Sequence, residues 1–152
     1  GKHRPVTLVF AREKTPAALK EALLGRRTVV WYKNTLIGRQ EWLEPLIRAS
    51  LAVKVAGYKP DRRRFSIQDR PDTSLLEVEL RNTSDANFLL RNPSAYKIAT
   101  EADILSVPPH ASVKITIPTV KRLDETVLSF EVLNAVTAPG RHPTLEWRLK
   151  TD

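Results

Sequence analysis

Four polar side chains in the first third of the chain have the types and spacing to hold a phosphate. Arg12 and Lys14 follow the apolar run Val6-Thr-Leu-Val-Phe10, and Lys33 and Asn34 follow Thr28-Val-Val-Trp-Tyr32. If both runs are strands of a parallel α/β sheet, all four residues lie at C-terminal strand ends, the face where such folds do chemistry. A helix opening at Thr15 adds unpaired backbone N–H groups, a natural anion site, to that same face. The other reading of Arg12 and Lys14 is pairing with Glu13 or neighbouring surface carboxylates, with no part in chemistry. No catalytic residue and no metal ligand is assigned in this chain. The three histidines stand isolated at positions 3, 110 and 142, with no second ligand at metal-binding spacing. There is no G-x-S-x-G elbow, and the five glycines are scattered instead of forming a phosphate loop. Zero Cys excludes disulfides, thiolate metal sites and Cys nucleophiles.

The elements that would position these residues come first in the chain. Val6–Phe10 is a short apolar run rich in β-formers and predicts a buried strand. Thr15 as N-cap, Pro16 at the first helical position and strong helix formers from Ala17 to Leu24 predict a helix ending at Gly25. Its buried face is expected to carry Leu19, Ala22 and Leu23. Thr28–Tyr32 predicts a second strand, so the segment reads as a parallel, right-handed βαβ unit. Arg39–Ser50 predicts a second helix burying Trp42, Leu43, Leu46 and Ile47, with Pro45 near its first turn.

After Ser50 the pattern changes to a period of two. Leu51–Val55, Leu76–Leu80, Val113–Ile117, Leu128–Val132 and Leu145–Leu149 each alternate apolar and polar residues, as antiparallel strands with one buried face do. Arg64–Gln68, Phe88–Arg91 and Tyr96–Thr100 are weaker strand candidates. Turn clusters at Asn82–Asp85, Asn92–Ser94, Pro108–His110 and Ala138–Gly140 separate them. Seven or eight short strands over about a hundred residues predict an immunoglobulin-like sandwich.

The net charge of +8 is concentrated early: residues 1–50 hold 10 basic and 4 acidic residues, whereas residues 73–152 hold 9 and 10. A basic face fits phosphorylated substrates, a polyanion or an acidic partner. The run Arg62–Arg64 comes without an aromatic RNA-recognition motif or helix-turn-helix spacing, so nucleic acid is not the expected partner. No apolar run reaches the roughly 20 residues of a membrane-spanning helix, and no membrane partner is expected. The chain contains no Met and begins Gly1-Lys2-His3, from which a processed chain or a piece of a longer protein is expected.

His3-Arg-Pro-Val-Thr-Leu-Val-Phe-Ala-Arg-Glu-Lys-Thr15, Glu21-Ala-Leu-Leu-Gly-Arg-Arg-Thr-Val-Val-Trp-Tyr32 and Asn34-Thr-Leu-Ile-Gly38 together resemble a known pattern. They are similar to the tail of the PHP (polymerase and histidinol phosphatase) superfamily, in particular to bacterial phosphodiesterase-like members with an extra C-terminal β-domain. Asn82-Thr-Ser-Asp85 and Pro108-Pro-His-Ala-Ser112 resemble turns of that appended sandwich. The resemblance implies a distorted (β/α) barrel whose divalent metals, held by His, Asp and Glu, activate water and hydrolyse phosphoesters. The family's H-x-D-x-H and its later ligand motifs do not occur here, so no family ligand maps onto this sequence.

The expectation is therefore an α+β chain in two parts. Residues 1–50 form a βαβα segment ending a larger PHP-type barrel, and residues 51–152 form an accessory β-sandwich. The function expected is that of the C-terminal portion of a metal-dependent phosphoesterase acting on phosphate mono- or diesters, from the bacterial cytoplasm or periplasm. The isolated chain is expected to bind no metal and to be inactive. Its partners would be the missing barrel, the phosphoester and, through the exposed strand Val6–Phe10, a second copy. The alternative is a non-catalytic basic module that binds a polyanion or an acidic protein.

Overall fold

In the computed structural model, which describes residues 4–60, 74–93, 103–119 and 124–151, the first apolar run forms strand β1 (Val6–Val9). His3, the Arg62–Arg64 run and the strand candidates Arg64–Gln68 and Tyr96–Thr100 lie outside the described residues. Helix α1 (Pro16–Leu24) begins where its cap dictates. Thr15 is extended, its hydroxyl accepts from Ala18 N–H at 3.2 Å, and Pro16 occupies a position whose N–H would have no helical partner. At the other end Gly25 N–H closes on Glu21 O, but the left-handed residue that turns the chain is Arg26. The helix is apolar on two sides, so its sequence does not select a face. The structure buries Ala22, as expected, together with Ala18, but leaves Leu19 and Leu23, expected to be buried, largely outside.

The expected parallel βαβ unit does not form. Strand β2 (Thr28–Tyr32) runs antiparallel to β1, with Val9 opposite Thr28 and Val6 opposite Trp31. The cause lies in the return from α1: Phe10 N–H donates to Arg27 O at 2.9 Å, which sets the start of β2 beside the end of β1. Lys33 takes a left-handed conformation and the chain folds back as β3 (Thr35–Gly38), making an antiparallel hairpin. Gly38 suits the position, because a Cβ there would press on Val29 Cγ2 at 3.0 Å and on Thr28 O at 3.2 Å.

Helix α2 (Gln40–Ser50) buries Leu43 and Ile47 and packs Trp42 and Leu46 against the core, as its periodicity predicts. Pro45 falls in the second turn instead of the first, and the anchoring of Leu43 and Ile47 on either side offsets the lost backbone bond. Leu51 N–H still donates to Ile47 O, so α2 passes without a linker into β4 (Leu51–Pro60).

The remaining strands make two antiparallel sheets. One has the order β4, β5 (Ser74–Asn82), β8 (Ser112–Thr119). The other has the order β11 (Thr144–Lys150), β9 (Glu125–Val132), β6 (Phe88–Arg91), β7 (Ile104–Val107). Register places Val53, Leu80 and Val113 in one inward row and Val55, Val78 and Ile115 in the next. In the second sheet, Phe130 pairs with Leu145 and Leu90 with Val132 on neighbouring strands. These rows form the expected sandwich: alternation along each strand directs every second side chain inward.

A short strand, β10 (Ala135–Val136), leaves the sandwich and pairs parallel with β3. It completes a mixed sheet in the order β1-β2-β3-β10, which is not the closing unit of a parallel barrel. One apolar cluster runs through both parts of the chain, from Val29, Leu36, Leu43 and Ile47 to Leu76, Phe88, Phe130 and Leu145. Strand β1 lies at the edge of its sheet, yet Leu8 and Phe10 pack against this core, with Phe10 and Trp42 rings 5.4 Å apart. What remains open on the expected self-association strand is its backbone edge with Val6 and Thr7.

Candidate functional site

The antiparallel pairing of β1 and β2 decides where the four candidate residues go. Arg12 and Lys14 follow the end of β1, which lies beside the start of β2, whereas Lys33 and Asn34 follow the far end of β2. The two pairs therefore sit at opposite ends of the hairpin and do not converge on one phosphate. Arg12 and Lys14 are exposed and make no ion pair with Glu13 or another carboxylate among the described residues. Lys33 is exposed and lies over the Tyr32 ring, its ammonium 5.4 Å from the centroid.

Asn34 has a different occupation. Its amide donates to Asn87 O and its carbonyl oxygen accepts from Asn87 N–H, both at 2.8 Å, across 53 residues of sequence. Asn134 continues the clasp. Its side-chain amide donates to Asn34 O at 3.3 Å, its oxygen accepts from Leu89 N–H at 3.1 Å, and its own backbone O accepts from Leu36 N–H at 2.8 Å. The β2–β3 turn is thereby tied to the chain entering β6 and to the turn before β10. The asparagine that looked like a ligand is a joint.

A second polar centre, Asn82, lies wholly buried at the end of β5. Its amide faces Ala86 O at 2.6 Å, Val107 O at 3.0 Å and Pro108 O at 3.1 Å, while its oxygen accepts from Ser84 N–H and Ser84 Oγ. The turn cluster Asn82–Asp85 was the sequence signal for it, though alone that cluster marks only a turn. Beyond this turn, His110 Nε2 lies 2.6 Å from Asp85 Oδ1 at an exposed position, with His110 at φ 54°. His142 Nδ1 lies 2.8 Å from Ala135 O. Each histidine in view thus has a structural partner.

Glu77 stands on the outer face of β5, as the strand's alternation predicts, between Lys59 and Lys114, the latter 3.5 Å away. The Lys59 ammonium, bonded to one carboxylate oxygen, holds the carboxyl below the usual glutamate range, and Lys114 adds to the effect. Arg27 Nη2 approaches Glu21 Oε1 at 3.1 Å without hydrogen-bond alignment, and Arg39–Glu41, Arg48–Glu44 and Arg91–Glu131 also pair. Of the early cations, Arg27, Arg39 and Arg48 are matched in this way.

Among the described residues no group of three His, Cys, Asp or Glu comes together. They offer no ligand set for the divalent metals the resemblance implies, and no step is derived through a metal. A cleft of about 200 Å³ opens between Leu8, Trp31, Leu46 and Phe88, with Asp85 at its border. It is smaller than the roughly 300–1,000 Å³ of ordinary ligand pockets and almost wholly apolar. No helix among the described residues is long and apolar enough to cross a membrane.

Comparison with known proteins is consistent with this geometry. Over 97% of its length the chain superposes, with a TM-score of 0.74 and 23% identity, on a two-domain protein from Bacteroides vulgatus ATCC 8482. That protein is described as containing a predicted PHP-like metal-dependent phosphoesterase, and the chain spans 39% of it. At this identity the likeness establishes the shared fold. No curated protein matches the sequence. Residues 64–148 match the family DUF5001, described as an Ig-like domain, and cover most of the sandwich. Two packed antiparallel sheets, inward alternation on each strand and this match together place the chain in that family of Ig-like domains.

Proposed function

We propose that this chain is the C-terminal, non-catalytic portion of a metal-dependent phosphoesterase, with the metal centre held by residues outside it. The observation that carries the reading is the fold shared over 97% of the chain with a two-domain protein described as containing a predicted PHP-like metal-dependent phosphoesterase, of which the chain spans 39%. On this reading the substrate is a phosphate mono- or diester, and the divalent metals and the nucleophilic water belong to the other portion. Residues 1–50 adjoin that portion. Of the four residues the sequence singled out, Arg12 and Lys14 are the ones left for a phosphate, since Asn34 is spent on Asn87 and Lys33 lies at the other end of the hairpin.

The test is hydrolysis of p-nitrophenyl phosphate and bis(p-nitrophenyl) phosphate by the product of the complete reading frame, with and without EDTA. The expected result is turnover that EDTA abolishes and that the 152-residue chain alone does not show. Salt-sensitive polyanion binding by the 152-residue chain, with no phosphoesterase in the complete product, would replace this reading with that of a basic binding module.

A further inference from the structure

Helix α1 is built inside out for a surface helix. Its small residues Ala18 and Ala22 are buried, and neither belongs to the central apolar cluster. Its large residues face away: Leu19 is 45% exposed, Leu23 48% and Leu24 75%. The spacing of four between Leu19 and Leu23 puts them side by side, whereas Leu24 points to another side of the helix. Val6, in the strand on which the helix packs, is exposed as well. Among the described residues, six of the eight large hydrophobics that stand exposed fall between Val6 and Ile37, the others being Ile104 and Val127. Scattered exposed leucines are ordinary, but Leu19 and Leu23, neighbours on one helix face beside buried alanines, form a small patch.

We infer that the leucine face of α1 is the docking surface for the phosphoesterase portion of the same polypeptide, an inference that rests on the function proposed above. The area favours a tethered neighbour over a free one. Leu19 and Leu23, each about half exposed, offer far less than a full side of an interface between separate chains. A stable dimer of separate chains needs roughly 800 Å² on each partner. The fold's occurrence in a two-domain protein, of which this chain spans 39%, supplies a candidate of the required size. A tethered partner adds effective concentration, so a small apolar patch suffices to hold it.

Hydrogen–deuterium exchange tests the assignment on the product of the complete reading frame and on the 152-residue chain. The α1 amides are expected to exchange at least tenfold more slowly in the longer protein. The double variant L19E/L23E is expected to erase that difference while leaving the melting temperature of the 152-residue chain unchanged. Equal exchange in the two proteins overturns the inference. So does α1 protection that disappears on dilution, because the occupant is then a second copy. Phosphoester hydrolysis measured on the same preparation separates the two proposals. Hydrolysis without α1 protection removes the docking surface and leaves the functional reading. Protection without hydrolysis does the reverse.

Discussion

Replacing Asn34 by alanine separates a ligand from a joint. In the structure the Asn34 side chain makes two reciprocal hydrogen bonds of 2.8 Å with the backbone of Asn87, at a half-buried position. Each such bond contributes about 0.5–1.5 kcal/mol net, and water regains partial access to Asn87 once the amide is gone. N34A is therefore expected to cost about 2 kcal/mol. In a chain of this size that lowers the melting temperature by about 4–8 °C. N34D keeps the acceptor for Asn87 N–H but sets a carboxylate oxygen against Asn87 O, so it is expected to cost no less than alanine. The assay is equilibrium urea unfolding of the 152-residue chain, followed by Trp fluorescence, alongside phosphate-ester affinity in the complete product. Unchanged unfolding midpoints with weakened ester affinity would refute the clasp and restore Asn34 to the substrate.

Four further outcomes follow from the same geometry. N82A removes an amide serving three carbonyls and an oxygen holding Ser84, so unfolding measurements are expected to register a loss of about 3 kcal/mol or more. Glu77 has a lowered pKa in the folded state, so its contribution is complete above the ordinary glutamate value and fades as pH falls through the lowered one. E77Q is accordingly expected to flatten the acid limb of a stability-versus-pH curve, and an unaltered limb would show that Lys59 and Lys114 do not act on it. R12A/K14A touches two exposed, unpaired cations and is expected to leave stability within about 0.5 kcal/mol, while raising KM for a phosphoester severalfold in the complete product. G57A places a Cβ at φ 135°, in the bulge between Val55 and Gly57, and is expected to destabilise through backbone strain even though nothing crowds the site.

The sandwich was legible because its strands alternate: inward rows such as Val53, Leu80 and Val113 are a direct consequence of period two. The capped start of α1 was equally readable from Thr15 and Pro16. What the local pattern could not reveal was the direction of β2. A strand–helix–strand order is compatible with a parallel crossover or an antiparallel return, and the bond from Phe10 to Arg27 selects the second. The short strands β3, β7 and β10 carry too few residues for periodicity, and β10 exists through its pairing with β3. The expected convergence of the four candidate residues turned on the same point, since the antiparallel pairing places them at two sheet ends instead of one. Asn34, Asn87 and Asn134 meet only through contacts between distant parts of the chain, which a linear pattern does not encode.

Titration of the 152-residue chain with Mn²⁺ and Zn²⁺ by calorimetry, beside the product of the complete reading frame, tests the division of labour most directly. No stoichiometric site is expected in the 152-residue chain, against tight stoichiometric binding in the complete product. One or more equivalents held tightly by the 152-residue chain itself would contradict it and place a metal centre among its own side chains.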